Sequence, residues 1–172
     1  MIISASRRTD IPAFYSRWLG NRLREGFVLV KNPRNPRQVR RISLAPEDGD
    51  GIVLWTKNPI PLLQLPPALA RIPFYIQCTV TAYGRDLEPG LPPKPEILAA
   101  FRELAARLGP ARLVWRYDPI LFSPAYSLET HVARFADLAA QLEGCTDACI
   151  VSFLDSYRCT ARAERDLGLY RP

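Results

Sequence analysis

A chain of 172 residues is long enough to bury one substantial core, and 48% hydrophobic against 23% charged residues excludes a disordered, purely solvating chain. A formal net charge of +6 favours anionic partners or substrates over cationic ones, and nothing in the composition divides the sequence, so residues 1–172 read as a single α/β domain. The 17 prolines are scattered at element boundaries and punctuate structure instead of forming a low-complexity block.

In chain order, "MIISA" predicts a first strand, and a helix follows Asp10, whose carboxylate can cap free backbone amides while Pro12 occupies the first turn. Tyr15, Trp18, Leu19 and Leu23 form the expected apolar face of this helix, and Gly26 ends it. Because Arg7, Arg8 and Asp10 interrupt the apolar start, no secretory leader is expected. No uninterrupted run is long enough to span a bilayer, so a soluble, cytoplasmic protein without membrane contact is expected.

Phe27 to Val30 and Val39 to Leu44 flank a Pro/Asn-rich turn and predict a small hairpin. The segment between and into them, "KNPRNPRQVRR", residues 31 to 41, carries five basic side chains and no acid. Such a run can meet a nucleic-acid phosphate backbone, and the competing reading is a solvated basic loop and edge strand. A second main strand is "GIVLWT" from Gly51. Four prolines between Pro59 and Pro67 exclude a full-length crossover helix after it and leave a short turn or a one-turn helix.

"FYIQCTV" from Phe74 predicts the next strand. A helix over Lys94 to Leu108 follows, with Ile97, Phe101, Leu104 and Leu108 at helical spacing and Gly109-Pro110 as its stop. Next come the strand "ARLVWRY" from Ala111 and a helix from Ser127 to Leu142 on Leu128, Val132, Phe135 and Leu142, closed by Gly144. The last strand is "ACIVSFLD" from Ala148. This alternation predicts parallel βα units. Two architectures satisfy it: a partial TIM-like barrel, or an open, mostly parallel sheet of five to six strands with flanking helices. A closed eightfold barrel needs about 250 residues. Either form has exposed edges, which a second copy of the chain or a separate C-terminal partner would cover to complete the sheet.

Ligands of such folds sit at the carboxyl ends of the strands. That rule selects Arg7, Arg8 and Asp10, with Ser4 beside them; Trp55, Thr56, Lys57 and Asn58; Gln77 and Thr79; Arg116, Tyr117 and Asp118; and Ser152 and Asp155, followed by Tyr157. Arg7, Lys57 and Arg116 follow three different strands, and together they would make a pocket for a small anion, since guanidinium forks and ammonium groups suit carboxylate and phosphate. The competing reading pairs each with a nearby acid, Arg7 or Arg8 with Asp10 and Arg116 with Asp118. Trp55 reads either as a stacking platform or as a packed core ring. Gln77 and Thr79 read as ligand contacts or as groups satisfying buried neighbours, and Asp155 as an orienting acid or a helix cap.

Hydrolytic triad chemistry has little support, because His131 is the only histidine and lies inside a predicted helix. Neither a dinucleotide glycine fingerprint nor a phosphate loop is present. Cys78, Cys145, Cys149 and Cys159 fit no standard zinc spacing and read as free thiols, with Cys149 expected to be buried in its strand. No metal or cofactor is expected in this chain.

The segments "IISASRRTDIPAFYSRW", "GFVLVKNPRNP", "VLWTKNP", "FYIQCTVTAYG", "VWRYDPILF" and "VSFLDSY" together resemble the bacterial family called domain of unknown function 1848, in order and to about Tyr157. The resemblance implies a partial or complete barrel of the radical-S-adenosylmethionine type, with Arg7, Arg8, Asp10, Trp55 to Asn58 and Arg116 to Asp118 lining its mouth. It also implies, for full-length relatives, a C-terminal cysteine cluster holding an iron-sulfur centre and S-adenosylmethionine. That cluster is not found before Pro172, and Cys145, Cys149 and Cys159 are not assigned its role. Three thiolates hold such a centre, so catalysis of that kind is not expected of this chain alone. A natural short form, a truncated product and one part of a split protein are all compatible with the sequence.

Overall fold

The computed structural model describes residues 1–6, 8–155, 157 and 160–170. The elements are β1 (Ile2–Ser4), α1 (Ile11–Glu25), β2 (Phe27–Lys31), β3 (Val39–Ser43), β4 (Gly51–Thr56), β5 (Phe74–Thr79), α2 (Lys94–Leu108), β6 (Leu113–Ile120), α3 (Leu128–Gln141), β7 (Cys149–Phe153) and a short α4 (Ala161–Asp166). Five strands form one open, mostly parallel sheet in the order β1-β4-β5-β6-β7, flanked by helices, while β2 and β3 make a separate antiparallel ribbon. The proline-rich stretch after β4 forms two 3-10 turns, Ile60–Gln64 and Pro67–Arg71, as its composition requires. No helix among the described residues is long and apolar enough to cross a membrane.

The chain divides into two compact units, Met1–Gln77 and Cys78–Pro172. In the first, β1 runs parallel to β4, with Ile2 opposite Gly51 and Ser4 opposite Val53. The Asp10 carboxylate caps α1 by accepting from the Ala13 N–H at 2.9 Å, and Pro12 sits in the first turn, where a missing N–H costs nothing. Gly26 ends the helix in a left-handed conformation, φ 74°, which glycine adopts without a Cβ penalty. Leu19 and Leu23 are buried, and α1 packs against β4 and the two 3-10 turns. Tyr15 and Trp18 are not part of this face: they are 51% and 43% exposed. Tyr15 leaves helical geometry (φ −133°, ψ 26°), which breaks the periodicity there, and Trp18 lies about 100° around the helix from Leu19.

In the second unit β6 runs parallel to β7, with Trp115 opposite Cys149 and Tyr117 opposite Val151. Alternation along β6 buries Leu113, Trp115 and Tyr117 and leaves Val114, Arg116 and Asp118 half-buried on the other face. On α2, Ile97, Phe101 and Leu104 are buried as their spacing predicts, and Leu108 is half-buried at the end. On α3 the buried stripe is His131, Leu138 and, just beyond the helix, Leu142, with half-buried Phe135 between them. Leu128 and Val132, expected to pack, are 56% and 62% exposed. The helix is turned by about one residue in its first half because His131 carries two hydrogen bonds inward, and an unpaired buried polar group costs more than two exposed aliphatic chains.

All five residues of β7 are exposed, among them Val151 and Phe153 at 52% and 63%. The expectation that Cys149 is buried therefore fails: β7 is the last strand of the sheet order and, among the described residues, has a hydrogen-bonded neighbour on one side only.

Candidate functional site

In the first unit, the residues after β1 and β4 converge on Asp10. Its Oδ1 caps Ala13, while its Oδ2 accepts from Thr56 Oγ1 at 2.9 Å and from the Lys57 backbone N–H at 2.8 Å. Thr56, buried to 3% exposure, in turn accepts from the Asn58 N–H at 3.0 Å, and Asn58 Oδ1 accepts from the Ile60 N–H at 3.2 Å. This ladder fixes the turn in which Lys57 is half-buried. Arg8 does not pair with Asp10; it donates to the Lys31 carbonyl at 2.9 Å. Ser6 holds φ 85° and accepts from the Ile11 N–H, a position outside the relaxed backbone of most residues. Arg7 lies outside the described residues. Trp55 is half-buried, and Gln77, 7% exposed, donates to the Tyr75 hydroxyl at 3.3 Å.

In the second unit the polar cluster lies toward the carboxyl ends of β6 and β7. Arg116 and Asp118 form an ion pair at 2.5 Å with side chains 14% and 19% exposed, and Ser152 on β7 donates its hydroxyl to the other oxygen of Asp118. Two adjacent parallel strands thus place one carboxylate between a guanidinium and a hydroxyl. Tyr117 points away from this group, as strand alternation demands, and its hydroxyl meets His131 Nδ1 at 2.7 Å. Burial raises the Tyr117 hydroxyl to about 12. Thr79 is half-buried; Asp155 is exposed and caps no helix among the described residues, since α4 starts after Thr160. Tyr157 is exposed.

Sequence reading missed a third cluster. Glu88, in the Pro/Gly-rich "LEPGLPPKP", accepts from Thr81 Oγ1 at 3.1 Å and pairs with Lys94 at 3.3 Å, its side chain only 8% exposed. Tyr83, also missed, donates to the Pro119 carbonyl at 2.6 Å and accepts from the Leu121 N–H at 2.9 Å. The signal in the sequence is an acid among turn residues six positions before a helix; it does not name a partner.

The described cysteines do not fit an iron-sulfur centre. Cys78 is fully buried in a strand, Cys145 is half-buried in a turn and Cys149 lies exposed on β7. Among the described residues no group of three or more His, Cys, Asp or Glu side chains is placed to hold a metal ion. Cys159 lies outside the described residues.

The ordered segments that carry these clusters are those of one family: its model, Domain of unknown function (DUF1848), matches residues 2–171. The chain belongs to this family. No curated protein and no solved structure matches this DUF1848 chain.

Proposed function

We propose that this DUF1848 chain binds a small anionic molecule at the carboxyl ends of its strands, with Arg116 as the principal contact. The observation that carries the reading is the Ser152–Asp118–Arg116 chain, in which a carboxylate held from both sides fixes a largely buried guanidinium in one orientation. A guanidinium carries five N–H donors in a fixed fork, and orienting it beforehand removes part of the entropy cost of binding carboxylate or phosphate. Lys57, set by the Asp10–Thr56 ladder, is the corresponding cation of the first unit, and Arg7 and Arg8 are further candidates. Within the first unit the candidate contacts extend to Asp10, Trp55, Thr56, Asn58 and Gln77, and within the second to Thr79 and Asp155. On this reading the chain is a cytoplasmic binding protein related by descent to radical-S-adenosylmethionine-type barrels, with no catalysis assigned to it alone. Titration with inorganic phosphate and citrate, followed by amide chemical shifts, tests it. Shifts at Arg116 and Ser152 that vanish in Arg116→Gln support the reading; saturation that Arg116→Gln leaves unchanged overturns it.

A second reading rests on the β2–β3 ribbon. Arg34, Arg37, Arg40 and Arg41 are all exposed, and none is in an ion pair with a described residue; Arg41 lies over the Phe27 ring at 4.3 Å. A nucleic-acid contact here predicts affinity for single- or double-stranded oligonucleotides that falls steeply with salt and disappears when the four arginines are changed to glutamine. Binding that is insensitive to both rejects it. Exposed β7, last in the sheet order, is the edge on which we propose that a partner completes the sheet; a second copy there would give a dimer that Val151→Lys dissociates, readable by sedimentation.

A further inference from the structure

The loop after β5 and the start of α2 build a concavity that uses none of the strand-end residues. A cavity of about 370 Å³ lies between the 81–95 segment and one side of α3. That is within the size range of pockets for small organic molecules. Its apolar part is formed by Leu98 and Leu138, 3% and 5% exposed, and by half-buried Leu91 beside Pro92 and Pro93.

Three cations and two acids line it. Both acids are engaged: Glu88 by Thr81 and Lys94, and Asp137 by the Gln141 side-chain amide at 3.0 Å. Lys94 is committed to Glu88. The side chains of Arg85, from the loop, and Arg134, from α3, make no hydrogen bond or ion pair with any described residue, and Arg134 acts on Tyr117 through its charge alone. The lining therefore combines an apolar patch with two uncommitted guanidinium groups. An inorganic anion would meet the charges and leave the apolar surface wet; a neutral ring would cover that surface and leave the arginines without a partner.

We propose that this cavity binds a small monocarboxylate with an apolar body, the body against Leu98, Leu138 and the prolines and the carboxylate between Arg85 and Arg134. Guanidinium forks match carboxylate geometry, and the apolar portion adds burial that simple anions lack.

Phenylacetate is the probe, with acetate and benzyl alcohol each lacking one of its two halves. Titrations of the full chain followed by amide chemical shifts should show phenylacetate saturating at a concentration at least about tenfold below either control, a difference of about 1.4 kcal/mol. The shifts should fall on residues 81–95 and on α3. The double variant Arg85→Gln/Arg134→Gln should bring phenylacetate down to the level of benzyl alcohol; both side chains are exposed, and an unchanged Tm checks that the fold is kept. Arg116→Gln should leave this binding intact, which separates it from the strand-end site. Phenylacetate binding no tighter than acetate, or undiminished in the double variant, overturns the proposal.

Discussion

The Asp10 carboxylate accepts the backbone N–H of Lys57 at 2.8 Å, joining two positions 47 residues apart. The same side chain starts α1 and receives the Thr56 hydroxyl, so the beginning of a helix and the end of β4 depend on one residue. Asp10→Ala should cost about 2–4 kcal/mol in urea unfolding, more than the roughly 1 kcal/mol of a helix cap alone, because it also strands a buried hydroxyl and an N–H. Thr56→Val should cost about 1–2 kcal/mol. Costs that simply add in the double variant would show that the two residues do not support each other.

His131 forms a second buried link. Its Nε2 faces the Leu121 carbonyl at 2.8 Å, and a carbonyl only accepts, so Nε2 carries the proton and Nδ1 accepts from the Tyr117 hydroxyl. Tyr117→Phe should destabilise by about 1–2 kcal/mol, and His131→Ala by about 2–4 kcal/mol, since it also opens space among the rings of Tyr83, Tyr117 and Phe122. The double variant should lose less than the sum of the two. A strictly additive result would remove the hydrogen bond from the account.

These buried phenols make stability sensitive to alkali. Burial raises Tyr117 from the ordinary 10.0 to about 12 and pushes Tyr83 higher still. A phenol whose folded pKa lies above its unfolded value contributes stability that is fully present below pH 10 and is lost as pH rises from 10 through 12. Tm should therefore decline across that window, and Tyr117→Phe should flatten the decline. An equal slope in the variant and the parent chain would contradict the assignment.

Gly26 and Gly90 make a matched pair of tests. Neither has an atom within 4 Å of where a Cβ would stand, but only Gly26 has a positive φ, 74°. Gly26→Ala should cost about 1–2 kcal/mol for the left-handed backbone alone. Gly90→Ala should be neutral or stabilising by up to about 1 kcal/mol, because the unfolded chain loses freedom. Thermal melts of both distinguish backbone strain from crowding, and equal losses would refute the difference.

Much of this architecture is written locally. Asp10, Pro12 and Gly26 mark α1 to the residue, Gly109-Pro110 stops α2, and the apolar runs give the strands of the sheet. Such signals act within a turn or a strand, through caps, fixed φ values and side-chain periodicity, and so they can be read one segment at a time.

What the segments meet is another matter. The period of α3 is visible in its sequence, yet Leu128 and Val132 face solvent while His131 faces inward, because the Tyr117 hydroxyl and the Leu121 carbonyl wait on that side. The pairing of Ser152 with Asp118 requires β7 to lie beside β6, and the cavity between Arg85 and Arg134 requires the 81–95 loop to come against α3. The sequence by itself determined the family, the alternation of strands and helices and the strand-end polar residues. Only the tertiary structure decided which of those residues become partners, since burial and hydrogen bonding depend on neighbours that are distant in the chain.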